Sequence, residues 1–93
     1  MSKKIAVILC GSGVYDGSEI QEATLSILYL DQLGVNVQFF TQDINHMHTI
    51  NHLSGDVSND TRNVLTVSAR IARGNIKNLD TLNIADVDSV VIP

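Results

Sequence analysis

The stretch Lys4-Ile5-Ala6-Val7-Ile8-Leu9 is apolar at every position after the first and runs through Cys10 into Gly11-Ser12-Gly13. It shows no alternation, so neither face of a strand built from it is suited to water. Strands covered on both faces belong to parallel sheets, whose successive strands are joined by crossovers, usually helical. This one segment therefore commits the chain to an α/β architecture. The run is also too short for the apolar core of a signal peptide or for a membrane span, and no targeting segment is visible.

The residues that follow supply the crossover. Asp16, Gly17 and Ser18 carry helix-start chemistry, and Glu19 and Glu22 put negative charge in or near the first turn, where the helix dipole favours it. Ile20, Ala23, Ile27 and Leu30 recur at helical spacing, and Gly34 stands where a helix ends in the left-handed conformation. Together they predict a helix from about Ser18 to Leu33. Val35, Val37 and Phe39 alternate with Asn36 and Gln38, predicting a second strand over Val35 to Thr41 and a right-handed βαβ unit. From Gln42 to Asp60 the chain is polar, with Ile44, Met47, Ile50 and Leu53 as spaced apolar anchors. That is too long for an idle connector and implies a functional or packed loop.

Asn59, Asp60 or Thr61 is suited to cap a second helix, in which Val64, Ser68 and Ile71 lie beside Leu65, Ala69 and Ala72 as a packing face. Arg70 and Arg73 fall in its last turn, and Gly74 ends it. Asn75 to Asp88 reads as a connector anchored by Ile76, Leu79, Leu82, Ile84 and Val87, leading into a third buried strand over Ser89 to Ile92. Three parallel strands and two helices describe a doubly wound sheet, in which ligands sit beyond the carboxyl ends of the strands. Two such ends matter: the loop from Cys10 to Ser18, and whatever follows Pro93. The chain reads as the front half of a domain.

At 93 residues, 44% hydrophobic and with a net charge of −4, the chain lies near the lower limit of one domain. A sheet needing cover on both faces would be marginal at this size, so a partner or further residues would complete it. Lys and Arg are scattered, which leaves no electrostatic footprint for nucleic acid or an anionic membrane. Cys10 is the only cysteine; an internal disulfide is impossible, and a reducing, cytoplasmic compartment fits.

Several residues could carry chemistry. Gly11-Ser12-Gly13-Val14-Tyr15-Asp16-Gly17, between strand and helix, approaches the dinucleotide fingerprint, but its third glycine is one residue late and Asp43 lies beyond the usual place of the ribose-binding acid. A flexible strand-to-helix turn is the plainer reading. Glu22, off the Ile20-Ala23-Ile27 stripe, is either a solvated helix glutamate or a proton acceptor near the strand ends. His46, His48 and His52 have a spacing that can hold zinc or copper, but no cysteine or carboxylate completes a ligand set, so surface or loop-packing histidines are preferred. Cys10 stands where a nucleophile could, yet a small buried residue closing the strand is the commoner role.

The segments Cys10-Gly11-Ser12-Gly13-Val14-Tyr15-Asp16-Gly17-Ser18-Glu19-Ile20, Ile50-Asn51-His52-Leu53-Ser54-Gly55, Thr61-Arg62-Asn63-Val64-Leu65 and Ser68-Ala69-Arg70-Ile71-Ala72-Arg73-Gly74 closely resemble the ElbB proteins. These are isoprenoid-biosynthesis glyoxalases, formerly described as enhancing lycopene biosynthesis, and the vertebrate mitochondrial ES-type amidotransferase-like proteins share the pattern. The resemblance runs along essentially the whole chain. It implies the PfpI and class I glutamine-amidotransferase-like superfamily, with a flavodoxin-like α/β sandwich, and makes residues 1–93 the N-terminal part of a single such domain. In the family the counterpart of Val91-Ile92-Pro93 runs into a glycine-rich G-G-F-G-A loop, with the nucleophilic cysteine further on in a C-I-A-P elbow.

The resemblance implies a cofactor-free, metal-free lyase that converts glyoxal, or a similar small dicarbonyl, to glycolate. Glu22 matches the superfamily glutamate that hydrogen-bonds the cysteine and would be catalytic, and Gly11, Ser12 and Gly13 would bind substrate. Cys10 does not match the nucleophile. On this reading the chain carries the acid-base half alone and is inactive by itself, pairing with the remainder of its domain or forming a homodimer. A noncatalytic amidotransferase-like binding or regulatory module is the alternative.

Overall fold

A computed structural model describes residues 3–93. Its elements are β1 (Lys4–Ile8), α1 (Ile20–Gln32), β2 (Asn36–Thr41), β3 (Thr49–Ile50), β4 (Val57–Ser58), α2 (Val64–Ala72), β5 (Lys77–Asn78) and β6 (Ser89–Val91). Four of the strands form one parallel sheet in the order β5-β2-β1-β6, with Ala6 opposite Gln38 on one side and Val90 on the other. The fold is α/β with a flavodoxin-like parallel sheet. It has one more strand than the three the sequence predicts: Lys77 and Asn78 of the expected connector pair with Phe40 and Thr41. Two polar residues carry no detectable strand period, so pairing with the β2 edge alone defines β5.

The unalternating run does what its composition requires. Ile5, Val7 and Leu9 pack against Ala23 and Leu30 of α1 and Ala72 of α2, with Val37, Phe39 and Val91 completing the same layer. Both helices thus share one face of the sheet. On the opposite face Ala6 and Phe40 are also buried. There the segment after β5, with two short 3-10 turns at Leu79–Thr81 and Ile84–Asp86, borders a cavity of about 510 Å³ together with Lys4, Gln38 and Phe40. Asp88 ties the entry of β6 to β1, accepting the Lys4 amide at 2.8 Å while its own amide donates to Lys4 O at 2.7 Å.

The helix boundaries differ from expectation for local reasons. Ser18 does not open α1, because its hydroxyl is spent on the Cys10 amide at 2.9 Å; Glu19 caps instead, its carboxylate accepting from the Glu22 amide at 2.7 Å. Ala23 and Leu30 are buried, Ile27 half-buried and Ile20 exposed, so the buried stripe begins one turn late. Gly34 adopts the left-handed conformation as expected, with φ 72°. α2 is capped by Asn63 rather than by Asn59, Asp60 or Thr61. Residues before Asn63 are held extended: His46 N–H donates to Arg62 O at 2.7 Å and Val64 N–H to Ile44 O at 2.8 Å. Val67 joins Val64, Ser68 and Ala72 in the buried face. Arg73 lies past the last turn, itself left-handed with φ 59° ahead of Gly74.

Among the described residues no helix is long and apolar enough to cross a membrane. Asn63 carries two tasks, its Oδ1 accepting the Thr66 amide at 2.9 Å and its Nδ2 donating to Asp43 at 2.8 Å. Asn63→Ala is expected to cost about 1–2 kcal/mol, the upper part of the range for a lost N-cap, measured as a lower urea midpoint with an unchanged m-value.

Candidate functional site

The strand order locates the crevice. The chain runs from β1 to β2 and outward to β5, then returns to place β6 on the other side of β1. The order reverses between β1 and β6, and open parallel sheets bind ligands outside the strand ends at such a reversal. The loop from Cys10 to Ser18 leaves β1 there.

Three side-chain hydroxyls hold the start of this loop. Gly11 N–H donates to the fully buried Ser68 Oγ of α2 at 2.7 Å. Cys10 N–H donates to Ser18 Oγ, and Thr41 Oγ donates to Leu9 O at 2.6 Å. The glycines are required by close approach. A Cβ on Gly17 would stand 2.5 Å from Ser12 N and 2.7 Å from Cys10 O, both backbone atoms that cannot swing away. Gly11 and Gly13 have φ of 76° and 145°; a side chain at 11 would run into the ring of His46, and one at 13 into the Asp16 carboxylate, with the His52 ring close behind it.

Those rings arrive from the polar segment, which folds into a flap. Its base is the antiparallel contact of residues 44–46 with 62–64, its body is the β3–β4 hairpin, and its tip turns at Gly55. The expected long loop is thus tied down by hydrogen bonds and not by its expected apolar anchors: Ile44, Met47 and Leu53 are exposed and Ile50 is half-buried. Asp16 staples loop to flap: Oδ2 accepts the Ile50 amide at 2.7 Å, while the buried Oδ1 has no hydrogen bond and lies 3.9 Å from His52 Nε2. Both ring nitrogens of His52 face carbonyl oxygens, Ile50 O at Nδ1 and Gly13 O at Nε2. These contacts hold the ring between loop and flap. Tyr15 stacks on the same ring at 5.0 Å.

Between loop, flap and α2 lies a cavity of about 330 Å³. Ser12, Gly13 and Val14 form one edge, Glu19 and Ile20 the start of α1, and His52, Arg62 and Arg70 the remainder. Of the residues singled out in the sequence, Ser12 and Gly13 line it, and Gly11 lies buried beneath, held to Ser68. Glu22 is exposed in the first turn of α1, outside the lining, and its amide rather than its carboxylate is engaged. Cys10 is exposed, not the buried strand-closing residue expected: burial of β1 ends at Leu9, and the turn held by Ser18 leaves the thiol outward.

His46 is half-buried against the loop, His52 touches the loop yet remains exposed, and His48 is exposed. Among the described residues no three His, Cys, Asp or Glu side chains converge in the manner of a metal site. Sequence reasoning misses Asp16, which reads as helix-start chemistry, and both arginines. The signal available is that a long polar segment must place its hydrogen-bonding groups against something. The nearest glycine-rich loop is the candidate surface.

Two substitutions test this description. Ser68→Ala leaves the buried Gly11 amide without an acceptor and is expected to cost about 1–3 kcal/mol in equilibrium unfolding. Gly17→Ala drives a methyl into fixed backbone and is expected to cost a similar ~1–3 kcal/mol, with the near-ultraviolet signal of Tyr15 against His52 changed.

No family model matches the chain. Curated relatives do, along nearly all of it. A human protein, "Glutamine amidotransferase-like class 1 domain-containing protein 3, mitochondrial", is 46% identical over 91 residues, covering 97% of this chain and 34% of its own length. The rat "ES1 protein homolog, mitochondrial" is 45% identical over 91 residues, with the same coverage. The zebrafish "ES1 protein, mitochondrial" is 32% identical over 94 residues, covering 96% of this chain and 35% of its own length. The chain thus spans about a third of the length of these relatives. A crystal structure of an isoprenoid biosynthesis protein with an amidotransferase-like domain from Ehrlichia chaffeensis superposes with a TM-score of 0.96 at 39% identity, over 99% of this chain and 43% of that one. Over the portion it spans, the chain's homologues are glutamine amidotransferase-like class 1 domain proteins, with an ElbB-like isoprenoid-biosynthesis protein as structural neighbour.

Proposed function

We propose that residues 1–93 form the N-terminal part of one amidotransferase-like domain acting as a cofactor-free glyoxalase of the ElbB type, which converts glyoxal to glycolate. The observation that carries this reading is the Ser12–Gly13 edge at the strand-order reversal, in a chain so close in fold to an isoprenoid-biosynthesis amidotransferase-like protein. A thiolate from outside these residues adds to one aldehyde carbon, giving a hemithioacetal. A proton leaves that carbon and one is delivered to the second carbonyl carbon, so the first is oxidised to a thioester and the second reduced to a hydroxymethyl group. Water then releases glycolate and regenerates the thiol.

Glu22 moves the protons, Ser12 and Gly13 bind the substrate, and Gly11, buried and held to Ser68, fixes the turn that presents them. The exposed Glu22 carboxylate accepts no hydrogen bond among the described residues, which suits a group whose partner, the thiol, lies outside them. The remainder of the domain, or a second copy, would complete the sheet beside β6. A reducing, cytoplasm-like compartment keeps Cys10 a free thiol.

The test is glycolate formation from glyoxal by the intact protein. Glu22→Gln keeps shape and removes the base, and is expected to lower kcat by about 10²–10⁴-fold. Unchanged turnover would remove Glu22 from the mechanism. No turnover by the unaltered protein would leave a noncatalytic binding module.

A further inference from the structure

The cavity beside the glycine loop carries a charge that the chain as a whole does not. The protein has a net charge of −4 and only six Lys and Arg, yet two of those six border this one small space. Arg62 reaches it from just ahead of the Asn63 cap and Arg70 from the last turn of α2. Neither guanidinium has a carboxylate oxygen within 4.0 Å; among the described residues the ion pair present is His52 with Asp16. Arg62 also borders a second cavity on the flap side with Asp60, again without pairing. The Ser12 hydroxyl, at the edge, makes no hydrogen bond among the described residues.

The plain account of Arg70 is complementarity to the carboxyl end of α2, and of Arg62 a solvated charge. That account explains neither residue's place on a common cavity. Arginine presents a planar fork that matches a carboxylate bidentately. Glu19 lines the same cavity with one negative charge against the two arginines, so the permanent charges of the lining sum to one net positive. A monoanion neutralises it; a phosphate dianion would bring an excess negative charge toward Glu19. The volume of about 330 Å³ sits at the small end of ligand pockets. Val14 and Ile20 offer apolar contact to a short carbon skeleton, and Ser12 a partner for one further oxygen.

We propose that Arg62 and Arg70, with Ser12 between the loop and α2, bind the carboxylate of a small 2-hydroxy- or 2-oxo-monocarboxylic acid. This assignment rests on charge, size and the shared lining of one cavity, and does not require that glyoxal be turned over.

The probe is glycolate, titrated calorimetrically into the intact protein without glyoxal. Saturable binding with Kd on the order of 1 mM is expected for a ligand of this size held by two charge-assisted contacts, weakening as sodium chloride is raised. Arg62→Gln and Arg70→Gln should each weaken it about tenfold or more, and the double variant should abolish it. Ethylene glycol, which keeps the carbon skeleton and loses the charge, should not bind. Both arginines are exposed, so the variants are expected to keep the wild-type circular dichroism.

The proposal is overturned if glycolate fails to saturate the wild-type protein, or if the double variant binds it as tightly. It is also overturned if inorganic phosphate binds and glycolate does not. Loss of thermal stability in Arg70→Gln with unchanged glycolate affinity would return Arg70 to the helix dipole and overturn its part in the site. Glyoxal turnover without glycolate binding would sink this site alone; glycolate binding without turnover would sink the glyoxalase reading and leave the site.

Discussion

A chain leaving the middle of a parallel sheet must find new partners for backbone groups that the ladder no longer serves, and it must do so where water is scarce. At the carboxyl end of β1 this falls on Leu9 O, Cys10 N and Gly11 N, and three side-chain hydroxyls meet it: Thr41, Ser18 and Ser68. All three hydroxyl residues are buried. A buried donor or acceptor left unmet costs about 1–3 kcal/mol, against a total stability of ~5–15 kcal/mol for an ordinary domain. The hydroxyls come from β2, from the loop itself and from α2, so the same bonds that satisfy the backbone also fix where those elements sit. The shape of the glycine loop, the docking of α2 and the depth of the cavity share this cause.

The flap depends on that loop in turn. Asp16 accepts the Ile50 amide, the ring of His46 occupies space that only glycine leaves open at position 11, and the Asp16 carboxylate does the same at position 13. Loop and flap are complementary surfaces, each short of hydrogen bonds without the other. The buried Asp16 Oδ1, with no hydrogen bond, faces the His52 ring at 3.9 Å. Arg62 reaches the cavity because the flap base holds Arg62 and Asn63 extended ahead of α2. A helix begun at Asn59, as the sequence suggests, would carry Arg62 into its first turn.

Much of this is legible in the sequence, and the illegible parts have physical reasons. The apolar run of β1, the alternation of β2 and the spacing of α1 are properties of single segments, and each element forms within a residue or two of expectation. β5 is defined by pairing rather than by side chains, and Lys77-Asn78 looks like any polar turn. Ser18 and Ser68 illustrate the same limit from the other side. A serine near a helix start reads as a cap, and a serine inside a helix as a packing residue, until a distant amide claims the hydroxyl. Extrapolating burial one residue past the end of β1 misplaces Cys10. The resemblance carried in G-V-Y-D-G-S-E-I and R-N-V-L identifies the relatives well. It cannot reveal that Asp16 and Arg62 inside those motifs face the same loop and flap.

The bond from Gly11 to Ser68 spans 57 residues of chain. Closing a loop of that size is entropically unfavourable and gains nothing until α1, β2 and the flap are already in place. The nascent β1–α1 unit therefore cannot present a formed pocket: in the order of folding events, the ligand-facing loop is among the last parts to set, and its integrity reports on the whole domain. A lesion anywhere along α2, however far from the cavity, would be felt first as a softened loop, with binding lost at a point where most of the sheet still stands.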